Sequence, residues 1–89
     1  MAVYSVSYDL KVDADPNYDE LITEIKSFNG YRKVMKSHWL VCHNGDADQV
    51  YKKLKKHLNK GDHILVMEAA KNYQGLLPQA IWDWLKRHL

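Results

Sequence analysis

The chain has 89 residues, 46% of them hydrophobic and 27% charged, with a formal net charge of +2 at pH 7. That length fits one domain spanning residues 1–89, and the composition excludes a disordered or collagen-like chain. No apolar run approaches the roughly 20 residues needed to cross a bilayer, so no membrane association is expected. The opening MAVYSVSYDL lacks the basic and long apolar regions of a secretory signal. Its single cysteine, Cys42, forbids an intrachain disulfide and fits a reducing cytoplasm.

Val3 to Leu10 alternates, with Tyr4, Val6, Tyr8 and Leu10 on one face and Val3, Ser5, Ser7 and Asp9 on the other. Period two with β-branched and aromatic residues predicts a half-buried strand. Asp13 to Asn17 forms a polar loop in which Pro16 disfavours helix before it. Tyr18, Leu21, Ile22, Ile25 and Phe28 then follow helical spacing, and Asn29-Gly30 closes the helix. Two short strands are expected at Tyr31–Met35 and Ser37–His43, joined by a tight hairpin or a sharp bend. After the Asn44-Gly45 turn, Asp46 is a candidate N-cap. Ala47, Val50, Tyr51, Leu54 and Leu58 make the apolar stripe of a second helix. His63 to Ala70 is a nearly unbroken apolar run, which predicts a strand covered on both faces. Pro78 suits a first helical turn, and Ala80, Ile81, Trp84 and Leu85 mark a last helix.

The order βαββαβα predicts an α+β fold, a ferredoxin-like βαββαβ plait over about residues 1–70, with a C-terminal loop and helix over about 71–89. Both plait helices would lie on one face of an antiparallel sheet, leaving the other face bare. The last helix or a second protomer is the expected cover, and a homodimer is favoured. Trp82 and Trp84 point roughly 160° apart on a helix, so one of them is free for an interface.

Charge is unevenly distributed. Residues 1–30 hold six carboxylates against Lys11 and Lys26, whereas residues 31–61 hold eight cations against Asp46 and Asp48. Arg32, Lys33 and Lys36 with Lys52, Lys53, Lys55, Lys56 and Lys60 are therefore candidate phosphate contacts for RNA or DNA. Exposed Tyr31 or Trp39 would offer stacking surfaces. The same charges also suit two solvated helix faces of opposite sign, or self-association.

The strand ending in Tyr8-Asp9-Leu10, followed by a helix and then a strand pair carrying Ser37-His38-Trp39, resembles the family of the second CRISPR-associated core protein (Cas two). The related virulence-associated protein D is similar in the same way. Small stand-alone bacterial and phage proteins share Ser-Tyr-Asp-Leu at the start, Lys-Ser in the first helix and Trp-Leu in the last. The resemblance covers about residues 1–70. It implies a two-fold dimer with Asp9 of each protomer near the axis, ligating Mg or Mn for phosphodiester cleavage, and Ser37 beside it as a catalytic-site residue. Carboxylate oxygens suit such ions, which retain water and activate it. The chain departs from the family pattern at three places. Its first helix is acidic, Met35 stands where the family has Gln, and a Pro78-led helix replaces the C-terminal strand.

Other chemistries find less in the sequence. The five histidines and Cys42 show no zinc-finger spacing, and Cys42 and His43 point to opposite strand faces. Gly30, Gly45, Gly61 and Gly75 are isolated turn residues, not a phosphate-binding loop. The expected function is therefore a dimeric, non-catalytic nucleic-acid-binding or adaptor protein, with a protein partner also open. The alternatives are a metal-dependent nuclease using Asp9, and a regulatory plait binding a small molecule.

Overall fold

In a computed structural model of the protein, residues 1–11 and 16–89 are described; the predicted loop carboxylates Asp13 and Asp15 lie outside that range. Seven elements follow in chain order: β1 (Ala2–Asp9), α1 (Pro16–Ile25), β2 (Gly30–Met35), β3 (His38–His43), α2 (Ala47–Lys55), β4 (His63–Glu68) and α3 (Gln79–His88). The four strands form one sheet in the order β2-β3-β1-β4, antiparallel throughout. Two β-α-β units are thus interleaved. β3 separates β1 from β2, and β1 separates β3 from β4. The mixed α+β expectation and its element order are therefore met.

Alternation along the strands builds two cores. Tyr4, Val6, Trp39 and Val41 face α1 and α2, where Leu21, Ile25, Phe28, Val50 and Leu54 complete the larger cluster. Leu54 and Val50 are fully buried, and truncating such a leucine to alanine costs about 2–5 kcal/mol. Val3, Leu40 and Cys42 point the other way and pack against Ile81, Trp84 and Leu85 of α3. The last helix is thus a cover for the second sheet face. It lies over β2, β3 and the start of β1, and leaves the rest of the β1–β4 half open.

Local signals explain the helix ends. Asp46 accepts a hydrogen bond from the Gln49 backbone N–H at 2.9 Å, and Gln49 Oε1 accepts from the Asp46 N–H at 3.0 Å. This reciprocal capping box starts α2. Gly61, with φ of +92°, makes the tight turn into β4 that an L side chain would resist. Asp62 beside it accepts from the backbone N–H groups of Lys11 and Asn59, both at 2.8 Å, and from the Tyr18 hydroxyl at 3.0 Å. One carboxylate thereby ties the end of β1, the start of α1 and the α2–β4 turn together.

Two expectations are corrected. β4 is not covered on both faces: Ile64 and Val66 pack under the helices, but Leu65 and Met67 are 57% and 58% exposed. β4 lies at the sheet edge, and α3 leaves these two side chains uncovered. Nor is either indole freely exposed. Trp84 is buried, while Trp82 is half-buried and stacks on Tyr73 with ring centroids 5.7 Å apart.

Candidate nucleic-acid interface

The predicted cations fall into two groups with different surroundings. Those of α2 stand on a helix packed beside acidic α1. Lys56 Nζ lies 3.1 Å from Glu24, and His57 lies 3.2 Å from Glu24 and 3.6 Å from Glu20. Lys52 pairs with Asp48 one turn earlier at 2.9 Å, and that hydrogen bond raises its pKa above the usual lysine value. Lys53 sits 4.7 Å over the Phe28 ring and Lys55 5.7 Å over Tyr51. Much of the charge on α2 is thus compensated within the chain.

The second group lies on and beside the edge strand β2. Arg32, Lys33 and Lys36 have no ion pair among the described residues, nor does Lys60 near the other edge. Period two sends Arg32 and Lys33 to opposite faces, because Arg32 pairs with Leu40 and Lys33 with Trp39 across β3. Lys36 projects from the β2–β3 turn. Lys26, just beyond α1, joins Tyr31, Arg32, Lys33 and Trp39 around a shallow surface depression. Tyr31 is 43% exposed, whereas Trp39 is only 4% exposed. The expected stacking role therefore passes to Tyr31 alone. Trp39 is a core residue whose indole N–H donates to the Tyr8 hydroxyl at 3.1 Å, with Lys33 Nζ 5.9 Å from its ring. Lys26 escaped the sequence reading because only the packing of α1 against the sheet brings it beside β2.

Asp9 and Ser37 lie at the same end of the sheet. The Ser37 carbonyl accepts the Tyr8 backbone N–H at 3.0 Å, so the β2–β3 turn abuts the end of β1. Asp9 is exposed, opposite His63 in the ladder. With Ser7, Tyr8, His63, Ile64 and Leu65 it lines a shallow depression on the open half of the sheet. Among the described residues, no three His, Cys, Asp or Glu side chains are grouped to hold a metal ion. Among the described residues, Asp9 is the one carboxylate lining that depression.

Two close polar pairs on this face were not legible in the sequence. Ser5 Oγ lies 2.6 Å from His38 Nε2 across the β1–β3 ladder, and burial lowers the His38 pKa, favouring neutral imidazole. Cys42 Sγ lies 3.6 Å from His88 Nδ1, and burial pushes the thiol pKa up. A buried, protonated thiol is poorly suited to nucleophilic attack. The alternation of β1 puts Ser5 on this face, but only strand register selects His38 as its neighbour.

No family model matches the chain, and no curated protein matches it. Among solved structures, the fold is similar to the crystal structure of a hypothetical protein TT1823 from Thermus thermophilus. The two share 20% identity with a TM-score of 0.63, over 86% of this chain and 94% of that one. At that identity the likeness bears on the fold alone. No helix among the described residues is long and apolar enough to cross a membrane.

Proposed function

We propose that the protein is a ferredoxin-like plait of the Cas two kind that binds RNA or DNA without cleaving it, as a homodimeric adaptor in a reducing cytoplasm. The plait assignment is supported by the strand order, which read from the opposite edge is β4-β1-β3-β2, with two interleaved β-α-β units. A free, buried Cys42 is consistent with a reducing compartment.

The observation that carries the binding reading is the set of uncompensated cations at β2. Lys26, Arg32 and Lys33 line one depression with the exposed ring of Tyr31, and the exposed Lys36 follows in the adjoining β2–β3 turn. Cations without acidic neighbours attract a phosphate backbone by releasing its counterions, and an exposed ring gives any base a stacking surface. Such binding is tolerant of sequence and steep in salt.

The test is fluorescence anisotropy with labelled single- and double-stranded RNA and DNA between about 50 and 200 mM salt. Changing Arg32, Lys33 and Lys36 together to Glu removes binding if the reading is right, and Tyr31→Ala weakens it on single strands. Wild-type protein without salt-dependent affinity would sink the reading.

The second reading is a metal-dependent phosphodiesterase using Asp9, with Ser37 beside it. It is favoured by one observation: Asp9 is exposed, and its carboxylate has no ion pair or hydrogen bond to another described residue. A nuclease assay of wild type beside Asp9→Asn, with Mg, Mn or chelator, separates the two readings. Metal-dependent cleavage lost in the variant would replace the adaptor by an enzyme.

A further inference from the structure

The two edges of the sheet differ in chemistry. β2 carries Arg32 and Lys33, and its ladder shifts register between Lys33 and Met35. Charges and irregularities of this kind deter edge-to-edge pairing. β4, the other edge, reads His-Ile-Leu-Val-Met-Glu. It has no proline or lysine, its register against β1 is regular, and it exposes Leu65 and Met67 on the half-sheet that α3 leaves open.

The free backbone groups of β4 can be assigned. The Ala69 N–H donates to the Val3 carbonyl of β1 at 2.8 Å. N–H and C=O groups of one residue in an antiparallel strand point to the same side, and successive residues alternate. Residues 63, 65 and 67 therefore face β1, while Ile64, Val66 and Glu68 direct their N–H and C=O groups outward. Among the described residues, nothing pairs with that outer row.

We propose that β4 pairs antiparallel with β4 of a second copy, about a two-fold axis through Val66, making one continuous eight-stranded sheet. In a continuous sheet, paired residues must share a face, so the axis passes through a residue and not between two. Centring on Val66 uses every outward residue: Ile64 pairs with the partner's Glu68, Val66 with the partner's Val66, and Glu68 with the partner's Ile64. The same register sets Leu65 directly opposite the partner's Met67, and Met67 opposite the partner's Leu65. The four exposed apolar side chains then cover one another. Centring on Leu65 instead would oppose Asp62 to the partner's Glu68, two carboxylates on one face, and would use fewer of the outward groups.

This arrangement rests on the homodimer part of the proposed function and not on nucleic-acid binding. It has a consequence for Asp9. With Asp9 opposite His63, strand rise and spacing set the two Asp9 residues roughly 25 Å apart. An edge-paired dimer does not bring them to a shared metal.

The experiment is light scattering and sedimentation on the full chain, wild type beside Glu68→Pro and Leu65→Lys. Both changes fall at exposed positions. Proline at residue 68 removes an outward N–H that the monomer does not use. The expected result is a wild-type dimer and two monomeric variants with unchanged far-UV circular dichroism. For register, a Leu65→Cys chain mixed with a Met67→Cys chain under oxidation gives a covalent dimer. Neither chain alone does so, because only the mixed pair meets at the about 4.5 Å Cα separation of facing residues. A wild-type monomer overturns both the homodimer and its edge. A dimer that survives both substitutions overturns the edge while leaving the homodimer, and points to packing through the open sheet face. Cross-linking by one variant alone overturns the register. Salt-dependent binding to nucleic acid is read separately and is untouched by any of these outcomes.

Discussion

The Lys56 ammonium lies 3.1 Å from the Glu24 carboxylate, so the basic helix of this protein is bound to its acidic one inside a single chain. His57 joins the same seam, 3.2 Å from Glu24. The opposite charges of the first third and the middle of the sequence thus meet within the monomer along the α1–α2 contact. Self-association need not draw on them.

Partial burial pushes the Glu24 pKa upward, but hydrogen bonds from His57, Lys56 and Ser27 prevail and hold it at about 2, against an ordinary 4.5. A depressed folded-state value contributes stability above the unfolded value and loses it as pH falls through the folded one. Glu24→Gln is expected to lower unfolding free energy by about 1 kcal/mol at neutral pH. Urea titrations of both proteins should converge between pH 4.5 and 2. A gap that persists unchanged to pH 2 would contradict the ion-pair account.

Asp62 is a second pH-sensitive tie. The Lys11 backbone N–H, then the Asn59 N–H and the Tyr18 hydroxyl, hold its carboxyl below the usual carboxylate range. Asp62→Ala removes the acceptor those three donors share and releases the turn around Gly61. The expected outcome is a melting temperature lower than wild type at pH 7, with the difference shrinking as the pH falls below the normal aspartate range. Equal melting temperatures at pH 7 would show that water replaces the carboxylate without loss.

Trp84 fastens α3 to the sheet over Val3, Leu40 and Cys42. Trp84→Ala is expected to cost about 3–5 kcal/mol, a large share of the roughly 5–15 kcal/mol typical of a domain. The free thiol of Cys42 reports the event, since it is 3% exposed behind the helix. Its reaction with a disulfide reagent should accelerate in the variant under native conditions. Slow labelling equal to wild type would place the cover of Cys42 elsewhere.

The two cation groups should differ in their effect on salt dependence. Lys52→Ala with Lys56→Ala removes charges already paired with Asp48 and Glu24, so the slope of log affinity against log salt should change little. Alanine at Arg32 and Lys36 should reduce that slope by roughly 2, near one unit for each phosphate no longer neutralised. The reverse ordering would move the interface to α2.

Much of the fold was legible because its signals are local. The alternation of β1, the Asp46 cap and the turn at Gly61 each depend on a few neighbouring residues. Element order followed from these alone. The reading of β4 failed because a short apolar run looks the same whether the strand is central or at an edge; among the described residues no strand or helix covers Leu65 and Met67. Trp39 misled for a related reason. Its face of β3 is set by register, and register turned the indole under the helices.

The sequence by itself determined the kinds of element, their order and the unequal distribution of charge, since propensity, period and capping act over a few residues. Tertiary structure alone decided which cations are compensated, which polar pairs meet and which edge stays open. Lys56 and Glu24 are 32 positions apart in the sequence, and Ser5 and His38 are 33 apart. Their contacts exist because helices and strands far apart along the chain bury apolar faces against one another, and that packing carries the polar groups into register.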